Sequence, residues 1–253
     1  LDYKEVQFTN NIDELLLDPQ IQLVTICTPG STHFELAKKA IESGKSVVVE
    51  KPFCDSSRHA KELFKLAKEK NVVVIPFQNR RFDSDYLAAK EVIDKGYLGE
   101  LLEVECHIDY FRPNMITPKG NKEDGAFYSL GIHLLDRMVA LFGAPETVSY
   151  DIRNNREKAG LDNYFDVDLH YNHQFKVKVK CNHLTALKYP RFIIHGTKGS
   201  FIKFGEDQQE NDLKVGMKPN EYKFGNETPD KYGILKYIDS SGDWIEKKIE
   251  SPM

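Results

Sequence analysis

The sequence predicts an α/β chain in which a parallel sheet of βαβ units is followed by an α+β domain with a large, mostly antiparallel, open-faced sheet. Three observations carry this. Over the first hundred residues, short apolar runs alternate with amphipathic segments of ten to fourteen residues, the pattern of strands joined by crossover helices. From Gly99 the dominant period becomes two, as in Phe175-Lys-Val-Lys-Val-Lys-Cys181, where apolar and basic residues take opposite faces of a strand. The 253 residues are enough for two domains, each with its own core. The expected boundary is 98/99: residues 1–98 form the remainder of a Rossmann-like domain, and residues 99–253 form the second domain.

The elements follow in order. Asn10 or Asn11 caps a helix over Ile12 to Leu17, which Asp18 and Pro19 stop, because proline lacks the donor a helix needs. Ile21 to Cys27 reads as a buried strand. After the turn T-P-G-S-T, Thr32 and Glu35 have capping-box spacing for a helix from His33 to Ser43, with Gly44 closing it. Ser46 to Glu50 is the next strand, residues 57 to 70 the next helix, and Val72 to Phe77 a third strand. In the second half a strand runs from Leu101 to Phe111 and a helix from about Gly125 to Phe142. Hairpin turns fall at Tyr171 to Gln174 and Gly196 to Gly199, and residues 205 to 233 read as a long loop.

Lys plus Arg total 35 against 39 for Asp plus Glu, a net charge of −4. That balance leaves no electrostatic case for nucleic acid or an anionic membrane as partner. No apolar run nears the roughly 20 residues a bilayer requires, and no signal peptide precedes the first element. Cys27, Cys54, Cys106 and Cys181 are dispersed, without a C-x-x-C pair, and read as reduced thiols of a cytoplasmic protein. Because the chain opens on Leu1, in the run-up to a helix, we expect a fragment.

In an open parallel sheet, ligands sit beyond the carboxyl ends of the strands. Three such ends are informative: Thr28-Pro29, Glu50-Lys51-Pro52 and Gln78-Asn79-Arg80. Pro52 biases Lys51 away from helical backbone, which aims its ammonium, and a lysine at a crevice mouth is a proton donor or acceptor with a tunable pKa. The competing reading is a surface salt bridge. On the helix 124 to 136, Ser129, His133 and Asp136 share a face at i, i+4 and i+7. His133 suits acid/base work near neutral pH if it points toward the first domain's crevice; otherwise it is a histidine satisfied within its helix. His170, His173, Cys181 and His183 have the residue types of a metal site, but a hairpin between alternating strands explains them, so no metal is expected. His33 faces either a ligand or only its own turn, and Arg112 is either solvated or a substrate contact.

Read in order, T-P-G-S-T-H (28–33), E-K-P (50–52), Q-N-R-R-F (78–82), G-Y-L-G-E (96–100) and F-Y-S-L-G-I-H-L-L-D (127–136) resemble the Gfo/Idh/MocA family of NAD(P)-dependent oxidoreductases. L-D-N-Y-F (161–165) and H-G-T-K-G-S-F-I-K-F-G-E-D-Q-Q-E (195–210) are similar to its branch containing scyllo-inositol dehydrogenases. The resemblance implies a partial Rossmann-type parallel sheet, NAD or NADP as cofactor, and a polyol, inositol or sugar as substrate. It implies Lys51 and His133 as catalytic residues and Thr28, Pro29, His33, Glu50, Lys51, Pro52 and Asn79 as cofactor-side contacts. On the substrate side it implies Lys51, Arg112, Tyr128, Ser129, His133 and Asn163. It also implies a homodimer or higher oligomer through the antiparallel sheet. There are two departures. Ser129 stands where the family commonly has aspartate, which leaves open a weakened enzyme or a non-enzymatic sugar- or nucleotide-binding sensor. No G-x-G-x-x-G turn and no closing helix are found, so the chain is expected to be trimmed at both ends, and the residue that distinguishes NAD from NADP lies outside it. A purely structural module is the third reading.

Overall fold

A computed structural model describes residues 6–115, 120, 124–157, 160–172 and 174–251, and these form two compact units that part between Gln78 and Asn79. The first unit contains α1 (Ile12–Leu17), β1 (Leu23–Ile26), α2 (His33–Glu42), β2 (Ser46–Val49), α3 (Ser57–Lys70) and β3 (Val74–Pro76). Its strands pair in parallel in the order β1-β2-β3, with Val24 opposite Val47 and Val48 opposite Ile75. The caps are local chemistry. Asn11 accepts from the Asp13 N–H at 3.1 Å, Ser56 accepts from the His59 N–H at 3.2 Å, and Asn71 (φ 55°) and Gly44 (φ 76°) supply left-handed ends. Ile26, Ala37, Ala40, Ile41, Val47, Val49, Leu63 and Ala67 are buried as one core.

The expected capping box on α2 does not form. Thr32 ends a short 3₁₀ turn, Gly30–Thr32, and is itself near helical backbone. Its hydroxyl therefore turns back, donating to the Pro29 carbonyl at 2.7 Å and lying 2.6 Å from the Thr28 hydroxyl.

The second unit opens with a 3₁₀ turn, Asn79–Phe82, then α4 (Ser84–Asp94), β4 (Leu101–His107), a π turn (Phe127–Gly131) running into α5 (Ile132–Phe142), and β5 (Thr147–Arg153), β6 (Tyr164–His170) and β7 (Lys176–Asn182). It continues with β8 (Phe192–Gly196), β9 (Gly199–Lys203), α6 (Gln208–Lys214), β10 (Gly233–Ile238) and β11 (Trp244–Ile249). The eight strands are ordered β11-β10-β9-β8-β4-β7-β6-β5, and every neighbouring pair is antiparallel except β4 with β7. One face joins α4 and α5 in a single core that includes Ala88, Val92, Leu134, Met138, Phe165, Val167, Val177 and Val179.

Four expectations change. No element was expected between Phe77 and Gly99, where α4 lies. Because its Tyr86, Ala88, Ala89 and Val92 belong to the second core, the units part at 78/79, while residue 98 marks only the approach to β4. The 205 to 233 loop contains α6, capped by Asp207, whose carboxylate accepts from the Gln209 N–H at 2.7 Å. The expected continuous helix begins as a π turn, so its side chains do not keep i, i+4 spacing through Ser129. Within α5, His133 and Asp136 keep i, i+3 spacing, and both oxygens of Asp136 accept from Arg81 at 2.7 Å. Among the described residues, no helix is long and apolar enough to cross a membrane, and Cys27, Cys54, Cys106 and Cys181 are free thiols.

Candidate functional site

Two sets of residues stand out, one in each unit. In the first, the loops leaving β1 and β2 are tied together at the carboxyl ends of the strands. His33, fully buried in the first turn of α2, places its ring nitrogens 2.8 Å from the carbonyl oxygens of Thr28 and Pro52. A Cβ on Gly30 would stand 3.1 Å from Pro52 Cγ, so only glycine lets the two loops approach this closely without a neighbour giving way. Thr28, Pro29, Glu50, Lys51 and Pro52 are thereby gathered on one rim. His33 serves there as the clamp, since its ring reaches no solvent. The Lys51 N–H donates to Glu50 Oε2 at 3.0 Å, and the Lys51–Pro52 peptide bond is cis. The valines of β2 stop at these residues because Val47 and Val49 are the last core positions, and the next residues form the rim. The exposed Thr28 and Pro29 and the half-buried Glu50 and Lys51 fit a dinucleotide lying across the strand ends. Asn79 is exposed at the head of the second unit's 3₁₀ turn.

The second set is built wholly from the second unit. β4 and β7 run parallel and in register, Glu103 opposite Lys176 through His107 opposite Lys180, so the chain leaving both strands emerges at one edge. The Arg112 N–H accordingly donates to the His183 carbonyl at 2.9 Å. Beside them lies a cavity of about 140 Å³ lined by Arg112, Met115, Asp124, Ala126, Ser129, Leu130, Arg156, Asp162, Asn163 and His183. The Asp162 carboxylate accepts from the Phe127 N–H at 2.6 Å and pins the start of the π turn. The Ser129 hydroxyl donates to the Gly125 carbonyl at 2.8 Å. Asn163 is buried with its amide engaged: Oδ1 accepts from the Asn155 N–H at 2.9 Å, and Nδ2 donates to Asn154 at 3.2 Å. It shapes the loop more than it offers donors.

Arg112, Ser129 and Asn163 line one cavity. Tyr128 points elsewhere, into an apolar groove of about 600 Å³ between α5 and the β5–β6 edge. His133 is buried one turn along from Ser129 and does not line the polar cavity. His183, Arg156 and Asp162 also line the cavity and were not among the expected site residues. The β6–β7 hairpin accounts for the backbone of His183, whose N–H donates to the Asn163 carbonyl at 3.1 Å, while its ring, just past the end of β7, lines the cavity. His173 lies outside the described residues, Cys181 is buried in the core, and His170 Nε2 lies 3.2 Å from the Ser149 hydroxyl. The signal for His183 was its place just past a strand end, next to a strand running the same way.

Comparison with known proteins extends these observations. Residues 2–78 match a family model described as an oxidoreductase family with an NAD-binding Rossmann fold, and residues 86–202 match the GFO/IDH/MocA C-terminal domain. The oxidoreductase YhhX of Escherichia coli (strain K12) is 48% identical over 251 residues, covering 99% of this chain and 72% of that protein. The scyllo-inositol 2-dehydrogenase (NADP(+)) IolW of Bacillus subtilis (strain 168) is 33% identical over 253 residues, covering 99% of this chain and 69% of that one. The crystal structure of an oxidoreductase from Bacillus cereus superposes with a TM-score of 0.94 at 62% identity, over 97% of this chain and 70% of that chain. With both units matched and nearly all of its length aligned, the chain belongs to the GFO/IDH/MocA family of oxidoreductases, and its first unit is part of their NAD-binding Rossmann fold.

Proposed function

We propose that this protein is an NAD- or NADP-dependent dehydrogenase that oxidises a hydroxyl of a polyol, inositol or sugar, with Lys51 and His133 handling the proton. The observation that carries it is the Glu50-Lys51-Pro52 segment on the rim of a parallel sheet that matches an NAD-binding fold. A bound nicotinamide supplies the hydride acceptor. The protein's own work is to hold the alcohol and take its hydroxyl proton as the carbonyl forms. Lys51 is the group on the rim that can receive or polarise that proton, and His133, whose side-chain type titrates near neutrality, is its acid/base counterpart. The first domain holds the dinucleotide, and the second binds substrate and carries self-association through the sheet, where Ile193, Ile202 and Ile234 form a cross-strand apolar row on the open face. We place the protein in the cytoplasm, from its dispersed free cysteines.

One observation favours a second reading, a sugar- or nucleotide-binding sensor. Ser129 holds no charge, and its hydroxyl is turned onto its own helix. Calorimetric titration of the full-length protein with NAD and NADP, followed by an absorbance screen for nicotinamide reduction across polyols, inositols and sugars, separates the two. Cofactor binding with turnover, faster in Ser129→Asp, supports the dehydrogenase. Cofactor binding with no turnover in either form supports the sensor, and no cofactor binding refutes the dehydrogenase and the nucleotide-binding form of the sensor.

A further inference from the structure

The polar cavity of the second unit contains a cost that nothing in its own walls repays. His183 is 4% exposed, and neither ring nitrogen has a hydrogen-bond partner among the described residues. A buried polar group left unpaired costs about 1–3 kcal/mol, so native proteins seldom keep one without a ligand or a role. The His183 ring lines the cavity and rests edge-on against Tyr110, 5.7 Å between centroids.

The charges around it have a direction. Arg156 donates through its two Nη atoms to the carbonyls of Met115 and Arg112, while its buried Nε has no partner among the described residues. It therefore fixes the loop that carries Arg112 and brings a positive charge whose hydrogen bonds go to backbone carbonyls, with no carboxylate partner among the described residues. The Arg112 guanidinium lies 3.9 Å over the Tyr110 ring and makes no ion pair among the described residues. Stacking occupies its face and leaves its N–H edge for a planar, two-oxygen acceptor. Two carboxylates also line the cavity. Asp162 is held at the start of the π turn by the Phe127 N–H, and Asp124 is exposed on the rim. At the His183 end the arginines dominate. Burial, then Arg112 and Arg156, hold the imidazole below its ordinary pKa range, against the opposing pull of Asp109. The cavity has room for several water-sized groups but not for a dinucleotide, so it suits one end of a substrate.

We infer that this cavity receives the carboxylate of an acidic substrate, held bidentately by the edge of Arg112 and by a hydrogen bond from His183, so that the preferred alcohols are sugar acids over neutral polyols. The inference rests on the dehydrogenase reading for the reaction but not for the binding. Ser129 and Asp162 also line the cavity, where they can meet hydroxyls, and Arg156 is a positioning residue.

The test is calorimetric titration of the full-length protein, saturated with reduced nicotinamide dinucleotide, with gluconate, galactonate and glucuronate, each beside its neutral counterpart glucitol, galactitol or glucose. At least one acid is expected to bind roughly tenfold or more tightly than its counterpart, since it gains a charged, two-oxygen pairing with Arg112 that the neutral compound lacks. Arg112→Gln is expected to abolish that preference with the unfolding midpoint unchanged. In a histidine NMR titration the tighter acid raises the pKa of the His183 ring, because a bound anion favours the imidazolium against Arg112 and Arg156. Equal binding of acids and neutral compounds, or a preference that survives Arg112→Gln, overturns the inference even if neutral polyols are oxidised. Selective acid binding without nicotinamide reduction keeps the carboxylate site and removes the dehydrogenase reading.

Discussion

The two sheets each leave one face open, and they finish it differently. On the three-stranded parallel sheet the open face is apolar: Leu23 is 53% exposed, Val73 56%, Ile75 45% and Phe77 42%. On the eight-stranded sheet much of the open face is an ion-pair ladder. Lys178 Nζ lies 2.7 Å from Asp166 and 3.1 Å from Asp168, Lys180 lies 3.4 Å from Asp166, and Lys176 lies 3.5 Å from Glu103. Those partners act both ways. Burial works against the Lys178 charge, yet hydrogen bonds to Asp166 and Asp168 push its pKa up to about 12. An antiparallel sheet can turn a polar face to water, whereas parallel sheets are ordinarily covered on both faces. The charged ladder is suited to solvent, and the apolar face of β1–β3 is the chemistry of a surface meant to be covered.

Three substitutions sharpen that contrast. The largest stability effect is expected at Arg137, buried in the second unit with Nη2 2.5 Å from Asp83, Nη1 3.3 Å from Asp85 and Nε donating to the Arg80 carbonyl. Arg137→Met strands two carboxylates in the core and should lower stability by about 3–5 kcal/mol, read as a fall in the urea midpoint. Burial already pushes the Asp83 carboxyl up to about 6 despite Arg137 and Arg80. A raised carboxylate pKa means that protonation favours the folded state, so the loss should shrink as pH falls through that range. In the first unit, Leu63→Ala empties a fully buried site and should cost about 2–5 kcal/mol. Ile75→Ser, on the open face of the same sheet, should stay within about 0.5 kcal/mol. A loss at Ile75 as large as that at Leu63 would mean the face is already covered in solution.

The sequence legibly carried the features that depend on local period and local caps. The helix over 57 to 70 emerged with its expected limits because Ser56 and the left-handed Asn71 bracket a strong 3.6 period, and the alternation in β7 placed Val177 and Val179 inward. The first unit's strands were overextended by one or two residues, since apolarity continues past the last paired position. Features that depend on distant partners were not legible. Period alone cannot reveal that β4 pairs in parallel with β7 across seventy residues of chain, and that pairing is what brings Arg112 to His183. The π turn at Phe127–Gly131 is likewise set by Asp162, thirty-five positions away, so the shared face of Ser129, His133 and Asp136 could not be tested from spacing. Thr32 had the composition of a cap, but the preceding 3₁₀ turn redirected its hydroxyl.

The central claim is that the ammonium of Lys51 serves proton transfer in a nicotinamide-dependent oxidation. It is tested most directly by comparing Lys51→Ala with the parent full-length protein in steady-state nicotinamide reduction on whichever alcohol the parent oxidises, with cofactor affinity and thermal midpoint measured on both. The expected result is a loss of about 10²–10⁴-fold in kcat, the usual contribution of a positioned acid or base, with folding intact and cofactor still bound. Undiminished turnover in the variant would contradict it.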